Sequence, residues 1–222
     1  MPPKSHCKIA FVGVGGQGVL LASGILGDSL MKEGYNVISN EIHGMAKRGG
    51  VVELSLVFGE RQGGRIDSGG ADILVAFEPL EGYRALCKCS SNTIALVNRA
   101  PLVPPSAILG SVPYPEVDSM IMEISQSVKR TFSIDAREIA MSVGSEKSTN
   151  IVMLGALCGI EVIPCSTTTI QECLAARLPA KLYEINHKAF LDGAKAVRDR
   201  SNNQPQDLRD EALFDITNGV MP

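Results

Sequence analysis

Two short stretches carry residues whose types and spacing suit chemistry. The first is Gly13-Val14-Gly15-Gly16-Gln17-Gly18, a G-x-G-x-x-G pattern directly behind the apolar run Lys8–Val12. Glycines there let the chain turn sharply and let backbone N–H groups approach a ligand with no Cβ in the way. A following helix would point its positive dipole end at the loop, so Gly13, Gly15, Gly16, Gln17 and Gly18 form a candidate phosphate loop. The plain alternative is that the glycines only pack helix against strand.

The second stretch is Glu41-Ile42-His43-Gly44-Met45-Ala46-Lys47-Arg48-Gly49-Gly50. It gathers a carboxylate, an imidazole and two cations among glycines. Glu41, His43, Lys47 and Arg48 cannot all be buried in one chain's core without partners. The planar fork of Arg48 suits a carboxylate or a phosphate. Glu41 follows Gly18 at close to the spacing of the acidic residue that holds a ribose in dinucleotide-binding folds. The cluster reads as a loop that closes a site or meets another surface. Any one of its charges alone would read as solvated connection.

Other chemistries find little support. Cys87 and Cys89 form C-x-C, and Cys7, Cys158, Cys165 and Cys173 are widely spaced. This is neither zinc nor iron–sulfur spacing, so no metal site is expected and the thiols read as free, in a reducing compartment. The formal net charge is −3 and the pI is about 5.7, with no basic stripe, which argues against nucleic acid and anionic membranes. No apolar run reaches membrane-spanning length, and Met1–His6 lacks the apolar core of a signal peptide, so a cytoplasmic protein is expected.

The elements that must position these residues alternate. Strands are expected at 8–12, 35–40, 51–58, 72–77, 93–98 and 131–135, and helices at 17–33, 79–87, 116–128, 136–142, 149–159, 168–177 and 182–198. The proline-rich stretch 99–115 reads as surface connection with one short strand at 107–112. Gly24 and Gly27, inside the first helix, are expected to admit a close neighbour. No crossover helix separates the second and third strands, so the sheet should be mixed. The expectation is a three-layer α/β/α sandwich with a Rossmann-like start and a helical C-terminal part. A single domain over 1–200 precedes a polar tail at 201–222.

The two signature stretches resemble those of the gamma-type component of the 2-oxoacid:ferredoxin oxidoreductase family, the indolepyruvate type in particular. Phe77-Glu78-Pro79-Leu80-Glu81, Ser148–Ala156 and Pro179–Asn186 add to the resemblance, which runs over about residues 7–195. Lys47 stands where the family usually has glutamine. The resemblance implies a subunit of an enzyme that oxidatively decarboxylates aryl 2-oxoacids to acyl-CoA with thiamine diphosphate, coenzyme A and ferredoxin. It places thiamine diphosphate and the iron–sulfur clusters on a large partner subunit, so no catalytic residue is expected on this chain. It also implies that the glycine loop either holds part of coenzyme A or only shapes the sheet edge. Pyruvate, 2-oxoglutarate and branched-chain enzymes share this module and stay open as alternatives. So does a free-standing nucleotide-binding oxidoreductase.

Overall fold

The computed structural model describes residues 6–43, 50–59, 63–103 and 113–203, without the side chains of His43 and of 200–203. Six strands form one mixed sheet in the order β2-β3-β1-β4-β5-β6. They are β1 Cys7–Val14, β2 Val37–His43, β3 Val51–Phe58, β4 Ile73–Ala76, β5 Ile94–Asn98 and β6 Arg130–Ile134. The strands β1, β4, β5 and β6 run parallel, and β3 runs antiparallel to both β1 and β2. The expected mixed sheet follows from the hairpin: a short β2–β3 connection leaves no room for a crossover.

The strands are apolar on both faces because helices cover both. On one side Ile9, Phe11, Leu54, Leu56, Val75 and Leu96 enter a core with α1 (Val19–Lys32), α5 (Thr149–Gly159) and α7 (Tyr183–Asn203). The helices α4 (Ala136–Ser142) and α6 (Thr167–Arg177) complete that layer. On the other side Ala10, Val12, Ala76, Ala95 and Val97 pack with Ile121 and Ile124 of α3 (Val117–Ser127). The short α2 (Pro79–Arg84) lies against β1, β4 and β5 there. Small residues on this second face let the helices approach closely, and a Cβ on Gly82 would stand 2.7 Å from that of Ala76. The layers are those expected for an α/β/α sandwich.

The glycines of α1 behave as expected. A Cβ at Gly24 would meet the guanidinium of Arg177, which pairs with Asp28, and one at Gly27 would touch Leu56. The closest backbone approach lies elsewhere, where α5 crosses α7. Added Cβ atoms at Gly155 and Gly193 would overlap the carbonyls of Phe190 and Val152.

Several boundaries differ from the sequence expectation. β2 begins two residues later and reaches His43, so Glu41 and His43 belong to a strand and not to a loop. Cross-strand pairing with Leu54 and Val52 carries the ladder past Asn40, where the strand was expected to end. α7 continues to Asn203, three residues into the expected polar tail. The short strand expected at 107–112 lies outside the described residues. Among the described residues no helix is long and apolar enough to cross a membrane.

Candidate functional site

The two signature stretches meet. Gly13 and Val14 complete β1, and the N–H of Gly15 donates to the carbonyl of Gly50 at 2.8 Å. That bond prolongs the β1–β3 ladder by one residue, so the glycine loop and the end of the 41–50 stretch are held together by backbone. Gly16 and Gly18 take φ of 101° and 74°, conformations that an L side chain rarely adopts.

The loop is closed by its own amides. Gln17 accepts from the Val14 N–H at 2.8 Å and donates to the Phe77 carbonyl at 3.1 Å. Its backbone N–H returns to the Val14 carbonyl. Gln17 therefore ties the loop to the C-terminal end of β4. From the other side the Asn98 amide also donates to the Phe77 carbonyl, at 3.0 Å. Asn98 is buried and in turn accepts from the N–H of Ala136 at the start of α4. The strands β1, β4 and β5 thus end in one connected set of side-chain amides.

An anion finds a mixed fit here. The N–H groups of Gly15 and Gln17 are already bonded within the protein. The N-terminus of α1 is open to one, because its N-cap Gly18 has no side chain and its first turn holds no acidic residue. The Asn150 amide abuts Gly18 and donates to its carbonyl at 3.2 Å.

Next to this loop, Glu78 is 1% exposed and fully engaged. One oxygen accepts from the Glu81 N–H and caps α2, and the other accepts from the Leu102 N–H and the Tyr114 hydroxyl. The carboxylate therefore grips the proline-rich connection near both its ends. Burial, then the bond to Glu78, pushes the Tyr114 hydroxyl well above its ordinary value. Burial also raises Glu81, against the opposing pull of Arg84.

Glu41 does not occupy a ribose-holding position. β3 is inserted between β1 and β2, so Glu41 stands two strands, about 10 Å, from β1. Lys47 and Arg48 lie outside the described residues. A cavity of about 220 Å³ opens on the α2–α3 side of β2 and β3, lined by Asn40, Glu53, Ser55, Arg65 and Lys88 among others. It includes no residue of the glycine loop. Asn150, Asn98 and the double grip of Glu78 were not readable in sequence as site residues, because their partners lie far away in the chain.

A family model described as pyruvate ferredoxin/flavodoxin oxidoreductase matches residues 8–196. The chain belongs to that family. It groups with the small subunits of the indolepyruvate type: it is 38% identical over 186 residues to the indolepyruvate oxidoreductase subunit IorB of Archaeoglobus fulgidus, covering 84% of this chain and 92% of that protein. The fold is similar to that of the gamma subunit of a keto/oxoacid ferredoxin oxidoreductase from Geobacter sulfurreducens PCA. The TM-score is 0.63 at 22% identity, over 86% of this chain and 98% of the other. It is also similar to part of the 2-oxoglutarate:ferredoxin oxidoreductase from Magnetococcus marinus, with a TM-score of 0.68 at 19% identity, over 88% of this chain and 32% of that one. In this family the chain is one component of a multi-subunit oxidoreductase. Among the described residues, no group of histidines, cysteines or carboxylates is placed to hold a metal.

Proposed function

We propose that this chain is the non-thiamine-binding subunit of an indolepyruvate ferredoxin oxidoreductase, acting in the cytoplasm beside a large subunit that carries thiamine diphosphate and iron–sulfur clusters. The complex breaks the bond between the carboxylate and the 2-oxo carbon of an aryl 2-oxoacid and releases CO₂. The acyl group passes to the thiol of coenzyme A, and the two electrons freed go to ferredoxin. The Gly15–Gly50 hydrogen bond carries the reading for this chain. It joins the glycine loop to the stretch that holds Glu41, His43, Lys47 and Arg48, so both can serve one place.

In this reading Arg48 and the N-terminus of α1 meet the phosphates of coenzyme A, and the 41–50 stretch seats against the large subunit. Coenzyme A is bound in the Magnetococcus marinus relative. Gln17 and Asn150 hold the loop in shape and do not touch the acyl group. Co-expression with a large subunit, followed by an assay of ferredoxin reduction over a panel of 2-oxoacids, tests the proposal. Indolepyruvate should be the preferred substrate and the isolated chain should be inactive. Preference for pyruvate or 2-oxoglutarate would reassign the substrate, and turnover by this chain alone would overturn the division of labour.

A further inference from the structure

Among the described residues β2 is an edge strand, and it carries few of the usual devices against pairing. Its sequence, Val37-Ile38-Ser39-Asn40-Glu41-Ile42-His43, is long for an edge and contains no proline and no lysine. Residues 38–42 are all exposed, with Ile38 at 44% and Ile42 at 56%. Both isoleucines stand on the α2–α3 side of the sheet, since the register sets Ile38 beside Val57 and Ile42 beside Glu53. Gly64 packs against Ile38 and Ile42 lines the cavity, and both side chains stay exposed toward the strand edge.

The ladder tells which backbone groups face outward. The Gly59 N–H donates to the Asn36 carbonyl, at 3.1 Å and in register with Val37↔Phe58. Antiparallel pairs alternate, so residues 38, 40 and 42 bond to β3. Val37, Ser39, Glu41 and His43 then point their N–H and C=O groups away from the sheet.

We propose that the β2 edge is where two copies of this chain meet, antiparallel, about a two-fold axis at Asn40, with the backbone edge of Glu41–His43 given to the second copy and the remainder of the 41–50 stretch, Gly44–Gly50, left to the large subunit. This register sets outward Ser39 against Glu41 of the second copy and Val37 against its His43, making about eight backbone hydrogen bonds. Ile38 faces Ile42 of the second copy, in both directions, as closely spaced pairs along the edge. Neighbouring registers fit worse. An axis at Glu41 sets two carboxylates opposite each other, and an axis at Ser39 sets Ile38 against Asn40. The strand is thus self-complementary in hydrogen bonding and apolar contact at one register, with no carboxylate directly opposite another, as an isologous interface requires. The result is one continuous sheet of two copies.

The test uses the full chain, alone and with its large subunit. One strand pair buries less than the roughly 800 Å² per partner of a standard interface, so weak, concentration-dependent association is expected, complete near about 100 µM. Analytical ultracentrifugation should then give twice the 23.6 kDa chain mass. Ser39→Pro removes an outward donor without touching the β3 ladder, and Ile38→Lys with Ile42→Lys sets like charges opposite each other. Both should yield folded monomers by circular dichroism. In a Cys87→Ser background, Asn40→Cys should cross-link to a covalent dimer on mild oxidation, because residue 40 faces itself, and Ser39→Cys should do so at least tenfold less. A monomer at about 100 µM overturns the proposal. So does a dimer that survives both sets of variants, or equal cross-linking at 39 and 40. A monomer whose β2 amides gain exchange protection only with the large subunit present assigns the edge to that subunit instead.

Discussion

The side-chain amide of Asn150, on the first turn of α5, donates to the carbonyl of Gly18 across 132 residues of sequence. The same carbonyl accepts the N–H groups of Leu21 and Ala22. The start of α1 is therefore fixed by a helix from the far end of the chain. A Cβ on Gly18 would collide with this amide and would also have to adopt a φ of 74°. Gly18→Ala should cost at least about 2 kcal/mol, from strain and overlap together. Asn150→Ala should cost about 1 kcal/mol. The double variant should be less destabilised than the sum by about 1 kcal/mol, because removing the amide frees the space. Thermal unfolding of the four proteins measures the coupling, and strict additivity would disconnect the two residues.

Glu78 and Tyr114 form the second relationship open to measurement. Glu78→Gln turns an N–H₂ toward one of three donors, so it should destabilise by about 2–3 kcal/mol. Tyr114→Phe removes one of the three bonds and should cost about 1 kcal/mol. The hydroxyl adds a pH signature. Its folded value is raised above the ordinary value of about 10, so the stability it contributes is complete below about pH 10 and is lost as pH rises through the folded value. The drop in stability above about pH 10 should therefore shrink in Tyr114→Phe. Identical alkaline limbs in the two proteins would rule out a titrating role for this hydroxyl.

The cysteines differ enough to be sorted by reactivity. Cys87 is exposed, Cys7 and Cys173 are buried, and Cys89, Cys158 and Cys165 lie between. Burial pushes the Cys89 thiol up to about 11 and the Cys165 thiol up to about 12, and raises Cys158 as well. The thiolate is the reacting form, so near neutral pH these three hold almost none of it. Iodoacetamide on the native protein should add one group quickly, seen by mass, and that adduct should disappear in Cys87→Ser. Rapid addition of two or more groups would show that the folded chain opens at these sites.

Much of the fold was legible because hydrophobic period and glycine placement are local signals. The β1–loop–α1 start, the mixed sheet and the exact span of α4 follow from residues close together in sequence. The end of β2 was not legible. Glu41 and His43 look like loop residues beside Gly44, and only pairing with Leu54 and Val52 makes them strand. The same pairing removes Glu41 from the ribose position that its spacing suggested, since strand order is invisible to spacing. Gly155 and Gly193 were ordinary glycines in sequence, and their need appears only where α5 crosses α7. The glycine loop itself was recognised, but the roles of Gln17, Asn98 and Asn150 in closing it depend on distant carbonyls.

The α5–α7 crossing gives a sharp stability test. A Cβ at Gly155 or Gly193 meets backbone, which cannot swing aside as a side chain would. Gly155→Ala and Gly193→Ala should each cost about 3 kcal/mol or more, above the usual range for surface glycine substitution. Gly27→Ala offers the contrast, because its nearest neighbours are 3.5 Å away or more, in ordinary contact. It should be neutral or slightly stabilising through helix propensity. Urea unfolding of the three variants should separate them clearly, and comparable midpoints would mean that the two helices can move apart at little cost.

Arg48 is the residue on which the proposed role of the 41–50 stretch turns. The bidentate geometry of a guanidinium is not reproduced by an ammonium, so Arg48→Lys should lose most of what Arg48→Ala loses. In the reconstituted complex both should raise the KM for coenzyme A by about tenfold or more, the loss of one charge-assisted contact to phosphate. The KM for the 2-oxoacid should stay near its original value. The isolated variants should unfold within about 0.5 kcal/mol of the parent, because the role proposed for Arg48 is in binding and not in folding. Weakened assembly with an unchanged KM for coenzyme A would place Arg48 at the subunit interface and not on the phosphates. Unchanged assembly and kinetics in both variants would leave the α1 N-terminus alone as the candidate for the anion.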